Sequence, residues 1–410
     1  RYVSYGKTMS KNSLTSFFED FLCRESLFVD RSALSTSYTP KTIQHRDKEV
    51  NKIASILAPA LRQEKPSNIL IYGNTGSGKT MTVKHIVSNM EDLCKQKEIH
   101  LKVLYINCRL KRVADTEYRL IAQLASFFGK SIPPTGLPTD EVYKIFYNAL
   151  EKQKGIVLVV LDEIDQLIKR AGDNILYNMT RINEDLKNSQ ISLLGISNDT
   201  TFIENIDVRI KSSLSEEDVL FSPYNAVEIQ NILRERAKSA FKENVIGQGV
   251  IEKCAAYVAR EHGDARKAIE LLRVAGEMAE RSKNEKVLTG HIDEAEEKLE
   301  REKIFDIIRL QPKQFQVVLF SILSMRDNNS HIYTGEIYDL YKKLCFKVGL
   351  RPLTQRRISD IIGEFELIGI INTKTISKGR YGRTREITLS VPSSVLPMTK
   401  KILEEELVLG

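Results

Sequence analysis

Nothing in the 410-residue sequence approaches a membrane-spanning apolar run, and the first residues carry no charged-then-apolar signal pattern. These absences argue against a membrane partner and against secretion, and set the expectation of a cytoplasmic protein. Cysteine is scarce: Cys23, Cys94, Cys108, Cys254 and Cys345 are scattered and form no CxxC pair. That speaks against a disulfide framework and a thiolate metal site, and for reduced thiols. Neither an internal repeat nor a low-complexity segment is apparent. The first methionine is Met9; residues 1–8 are therefore expected to be upstream sequence and stand outside the fold argument.

What remains is an ordinary soluble composition, with 42% hydrophobic and 28% charged residues. The length is too great for one core, so two or three domains are expected. Net charge is +7, and its location is uneven. Residues 301–410 hold 18 Lys/Arg against 12 Asp/Glu, whereas residues 1–300 hold 43 against 42. Such a basic last quarter fits nucleic-acid contact, although a solvated basic face gives the same count.

The run Gly73-Asn74-Thr75-Gly76-Ser77-Gly78-Lys79-Thr80 fits G-x-x-x-x-G-K-[ST] at every fixed position. It follows the apolar run Asn68–Tyr72 and opens a helical stretch, so backbone N–H groups and a helix start converge on one anion. Lys79 is placed for the β- and γ-phosphates of ATP or ADP, and the Thr80 hydroxyl for Mg²⁺. Asn74, Gly76, Ser77 and Gly78 line the cradle, with Met81 and Thr82 beginning the helix. A second element, Ile156–Asp162 followed by Glu163, is an apolar strand ending in two carboxylates. Asp162 suits Mg²⁺ held through water, and Glu163 suits polarising an attacking water. Asn198, after the strand Ser192–Ser197, is a candidate for orienting that water; a lone Asn there also serves as a turn former.

Between 68 and 224, short apolar runs alternate with helical patterns, which predicts a doubly wound parallel sheet. From 225 to about 300 only helical periodicity remains. Beyond 304, three helices (Pro312–Ser324, Thr334–Val348, Thr354–Ile368) precede two strands, Ile371–Ile376 and Arg385–Val391. That order reads as a winged helix-turn-helix whose third helix enters a major groove. It carries Gln355, Arg356 and Arg357, and the hairpin offers Lys378, Arg380, Tyr381, Arg383 and Arg385 for phosphate or minor-groove contact. A winged helix used for protein contacts has the same elements.

GNTGSGKT, VVLDEID, GISND and GDARKAIELL occur here in the order that resembles AAA+ ATPases. With Tyr38-Thr39-Pro40…His45-Arg46-Asp47, Asn107-Cys108-Arg109 and the RIKSSL stretch, the chain is most like archaeal origin-recognition and cell-division-cycle type replication initiators. The resemblance implies an α/β AAA+ P-loop base over residues 9–222, an α-helical lid over 223–300 and a winged-helix DNA-binding domain over 301–398. It implies that Arg266 reaches the γ-phosphate in cis, that Tyr224 and Arg236 line the nucleotide, and that Pro40–Val50 closes the adenine side. Arg209 is the candidate arginine presented in trans, although Ser213 stands where eukaryotic relatives carry an arginine. Arg112, Arg119 and Lys130 belong to a helical insertion that touches DNA in the family, but their surroundings are spaced like core packing.

The resulting expectation is an ATP-dependent, nucleoid-associated initiator of DNA replication, an ATPase of slow turnover, bound to double-stranded origin DNA. It is expected to be a monomer in solution that assembles on DNA, with a replicative helicase or other initiator copies as partners. Two alternatives stay open. One is a nucleotide-gated DNA-binding regulator without turnover; the other is a clamp-loader or signalling ATPase whose winged helix binds protein.

Overall fold

The computed structural model of the chain describes residues 25–35, 38, 40, 42–110, 114–201, 206–214, 216–261, 263–326, 332–377, 383–392 and 395–408; the side chains of 213, 377 and 383 fall outside it. The chain divides into two compact units, Arg1–Ile292 and Asp293–Gly410.

The first unit is built on five parallel strands: β1 (Ile69–Gly73), β2 (Leu101–Asn107), β3 (Gly155–Asp162), β4 (Ser189–Ser197) and β5 (Glu217–Phe221). They lie in the order β2-β3-β4-β1-β5. The continuous apolar run of β3 is explained by where its side chains go. Val157, Val159 and Leu161 enter one core, while Ile156, Leu158 and Val160 enter the other. The period of two therefore feeds both faces of one sheet, and both are covered by helices. Since β3, β4 and β1 are neighbours, their carboxyl ends bring Asp162, Ser197 and Gly73 to one edge, where such sheets bind ligands.

The same unit continues into helices Ala226–Ala240, Val250–Arg260 and Ala265–Arg281. The first starts on an Asn225–Glu228 capping box. It ends at Ala240, where Phe241 turns extended and pairs with Phe28 of the N-terminal segment. That segment is tied down by backbone bonds from Val29 and Asp30 to the Ala240 carbonyl.

In the second unit the helices Lys313–Arg326, Thr334–Val348 and Gln355–Ile368 pack with the antiparallel sheet β6-β8-β7, formed by β6 (Ile332–Tyr333), β7 (Ile371–Ser377) and β8 (Arg383–Leu389). The sequence reading missed β6, which is only two residues long. It also missed the helix Leu396–Leu407, whose Leu403 and Leu407 join this core. Helix Thr289–Arg309 carries the charged stretch Asp293–Lys303. None of the described helices is long and apolar enough to cross a membrane. The four described cysteines are buried free thiols.

Phe146 is fully buried in a sheet core, 6.2 Å from the Phe128 ring centre. Phe146→Ala is expected to cost about 3–5 kcal/mol, read as a lower urea midpoint at unchanged slope.

Candidate nucleotide site and nucleic-acid interface

The loop after β1 delivers Lys79 and Thr80 as the first residues of helix Lys79–Lys97. No side chain caps this helix, so its first N–H groups remain available to an anion. Gly76 and Gly78 take φ of +70° and +95°. A Cβ at Gly76 would overlap the Asp264 carboxylate, and one at Gly78 would stand 2.7 Å from the Tyr224 hydroxyl. Both positions thus need glycine for space as well as for φ.

Lys79 is 4% exposed and its ammonium donates to the carbonyls of Gly73 and Asn74, each at 2.8 Å. Burial, and after it the positive charge of Arg266, pull this ammonium down to about 8. Ser77 Oγ donates to the Asn74 carbonyl at 2.8 Å. The Thr80 hydroxyl meets both Asp162 oxygens at 3.1 and 3.2 Å. Hydroxyl and carboxylate together are an all-oxygen donor pair of the kind that suits a hard cation such as Mg²⁺.

Asp162 also accepts from the Tyr105 hydroxyl on β2 and from the Glu163 backbone N–H at 3.0 Å. Burial, then the bond to Asp162, hold the Tyr105 phenol well above its usual range. Tyr105 was invisible to the motif search because its hydroxyl reaches Asp162 across neighbouring strands. Glu163 sits at φ 55°, ψ 47°. This left-handed conformation costs a non-glycine residue about 1 kcal/mol and clusters at functional positions. Asn198 is half-buried at the end of β4, and its backbone N–H lies 3.4 Å from Asp165 Oδ1. Asp165, itself 4% exposed, also accepts from Ser197 Oγ at 3.4 Å. It is a second buried carboxylate that the sequence reading passed over.

A cavity of about 600 Å³ opens between this loop and the helical segment. Gly76, Gly78, Thr80, Met81, Tyr224 and Arg266 are among its lining residues. Gln44 also lines it, with a buried side-chain oxygen that has no hydrogen-bond partner among the described residues. Arg236 borders the cavity too, but its guanidinium donates to the carbonyls of Ala33 and Tyr38 and stacks 4.4 Å from the Tyr38 ring centre. Its contact is with the N-terminal segment that walls the cleft. Asp264 caps the Arg266 helix, and the Ala265 N–H approaches the Gly76 carbonyl at 3.4 Å. Thr82 follows in the loop helix, its hydroxyl buried without a partner among the described residues. Thr80, Met81, Tyr224 and Arg266 thus border one cavity, and Asp162 reaches it through Thr80; Lys79, Glu163 and Asn198 are not among its lining residues, and neither is Arg209. It is exposed, pairs with Asp207 at 3.2 Å and lies 5.9 Å from the Tyr177 ring centre.

The expected DNA residues are distributed unevenly. Gln355, Arg356 and Arg357 open their helix behind a Thr354 cap and are all exposed. Arg357 is drawn toward Glu364 at 3.4 Å and Asp360 at 3.9 Å, while Arg356 makes no ion pair among the described residues. Arg385 is half-buried on β8 opposite Thr375. Lys378, Arg380 and Tyr381, the Arg383 side chain, and Arg112 lie outside the described residues. In the first unit Arg119 pairs with Asp115 at 2.7 Å, and Lys130 is exposed.

A polyphosphate in the cleft favours the charged Lys79 ammonium and so raises its pKa. Affinity for ADP is therefore expected to hold below pH about 8 and to fall toward about tenfold per unit above it. Calorimetry at pH about 8.5 in buffers of different ionisation heat should show proton uptake on binding, and Lys79→Ala should remove it.

Three family models match successive stretches: an AAA domain over residues 62–199, a Cdc6 AAA+ ATPase-type lid domain over 230–297, and a CDC6 C-terminal winged helix domain over 306–396. The ORC1-type DNA replication protein 1 of Methanosarcina mazei is 45% identical over 397 residues, covering 96% of this chain and 94% of that protein. The ORC1-type DNA replication protein of Thermococcus kodakarensis is 46% identical over 389 residues, covering 93% of each. Among solved structures, the Aeropyrum pernix ORC1 protein in complex with DNA matches with a TM-score of 0.80 and 41% identity, over 93% of this chain and 98% of that one. The chain belongs to the ORC1-type DNA replication proteins, a family of AAA+ ATPases with a Cdc6-type lid and a winged helix.

Proposed function

We propose that the protein is an origin-binding replication initiator in which ATP binding, followed by slow hydrolysis, switches the state of the base and lid. The observation that carries this reading is the cleft lined by both Thr80 and the lid residue Arg266, with the Thr80–Asp162 pair at its edge and the buried Lys79 next to Thr80. Lys79 and Arg266 would hold the phosphates from two sides. Glu163 would take the proton of the attacking water, and Asn198 would orient that water. Mg²⁺, held by Thr80 and through water by Asp162, would neutralise charge between phosphate oxygens. Tyr105 keeps the Asp162 carboxylate aimed at the Thr80 hydroxyl. Slow turnover fits a switch, because the site is built from groups that hold a nucleotide firmly.

Duplex DNA would be met by the winged helix, with Arg356 the freest cation of its third helix and Gln355 and Arg357 beside it. The Aeropyrum relative was solved with DNA, which supports the same use here. Origin sequence, a helicase partner and assembly of several copies on DNA extend this proposal. Arg209, exposed on helix Val208–Leu214, remains the proposed arginine for a neighbouring copy's nucleotide.

Two measurements test the reading. Glu163→Gln is expected to bind ATP near the wild-type affinity and to hydrolyse it at least about a hundredfold more slowly in single turnover; unchanged hydrolysis would remove Glu163 from the mechanism. Binding to duplex DNA is expected to weaken steeply with salt, and Arg356→Ala to lower the salt slope by about one contact. Arg357→Ala should do less, its charge being shared with Glu364 and Asp360. A salt-independent affinity would instead favour a winged helix that binds protein.

A further inference from the structure

Arg46 was legible in the sequence only as part of a family signature, yet it is among the most enclosed cations of the first unit, at 3% exposure. A buried guanidinium must find acceptors for its fork of donors, and here they come from three separate places. Nε donates to the Ser77 carbonyl of the phosphate loop at 2.9 Å. One terminal nitrogen donates to the Ser222 carbonyl, just past β5, at 2.6 Å, and the other to Glu49 at 3.2 Å. The plane of the group lies 4.0 Å from the Tyr224 ring centre and 5.4 Å from that of Phe221. Ser222 to Asn225 is the segment through which the chain passes from sheet to helical lid.

The contacts continue beyond the guanidinium. The Tyr224 hydroxyl stands over Gly78, and the Tyr224 backbone is covered by Gly263, where a Cβ would fall 2.3 Å from the Tyr224 carbonyl. Gly263 is followed directly by Asp264, Ala265 and Arg266, the start of the lid helix that faces the loop. A line of close contacts therefore runs from the outer side of the phosphate loop, through Arg46 and Tyr224, to Gly263, three residues before the exposed Arg266.

We propose that Arg46 is a positioning residue that fixes the hinge between base and lid to the phosphate loop, and thereby sets where Arg266 stands in the cleft. This deepens the nucleotide-switch reading and rests on it. Lysine cannot replace the group, since a single ammonium cannot hold both carbonyls in one plane and stack on Tyr224. Arg46 does not border the cavity, so its effect on a bound nucleotide is transmitted and not direct.

The test compares wild type, Arg46→Lys and Arg46→Ala in the full chain, with ADP as the probe. Fluorescent-ADP titration reads affinity, and amide hydrogen exchange with and without ADP reads the segments 221–226 and 263–266. In the wild type, ADP is expected to slow exchange in both segments at least about tenfold. Arg46→Lys should bind ADP within about threefold of wild type, lose that protection to below about twofold, and hydrolyse ATP about tenfold more slowly or worse. Should either Arg46 variant fail to fold, Tyr224→Leu removes the other half of the stack and is expected to lose the same protection. Full protection in a variant that binds ADP overturns the proposal. So does a loss of ADP affinity beyond about tenfold in Arg46→Lys, which would make Arg46 part of the binding surface itself. A wild type that binds no ADP overturns the nucleotide reading along with it, whereas a wild type that binds ADP without protecting the hinge overturns the positioning role alone.

Discussion

The Lys79 ammonium, buried against the carbonyls of its own loop, is the constraint on which the rest of the first unit depends. A cation removed from water needs compensating dipoles, and Gly73 and Asn74 can supply them only if the loop turns back on itself. That turn demands positive φ at Gly76 and Gly78 and leaves no room for side chains there. The loop can then be enclosed by Asp264 on one side and Tyr224 on another. With its inner side directed at the cleft, its outer Ser77 carbonyl is left for Arg46. Strand order, loop shape and lid contact are therefore one connected arrangement.

Much of this was legible from local pattern. The continuous apolar run of β3 announced a strand buried on both faces, because that signal is contiguous in sequence, and Asp162 at its end does meet Thr80. Lys79, Thr80 and Asp162 were found by spacing and stand together in the fold. What escaped was carried by contacts between distant segments. Tyr105 acts through a hydroxyl that reaches across to the next strand; Asp165 acts through the end of β4. Arg46 depends on carbonyls 31 and 176 residues away, and no periodicity reports a backbone carbonyl. The helix Leu396–Leu407 escaped because its Pro397 and charged face resemble a tail until Leu403 and Leu407 are given a core to enter.

The winged-helix unit shows why a count of charges is a poor map of an interface. Its excess of basic residues suggested a nucleic-acid face, but charge is available to a phosphate only where the protein does not already use it. Arg357 shares its charge with two acids on its own helix, as Arg119 does with Asp115 in the other unit. Arg356, adjacent in sequence, is turned to solvent. Such self-pairing leaves fewer cations on that helix free for a phosphate than the charge count implies.

Lys79 and Arg266 give the nucleotide cleft its directionality. They come from different segments, loop and lid, and the Arg266 charge is one cause, after burial, of the lowered Lys79 pKa. Like charges on loop and lid repel each other, while a polyphosphate bound between them would attract both. In the proposed switch the same pair would oppose lid closure without a ligand and favour it with one. A hinge free to move would dissipate that change in local motion. A hinge bound to the loop by the buried Arg46 guanidinium, as proposed, would instead convert it into a defined lid position, the difference between a pocket that holds a nucleotide and a pocket that reports one.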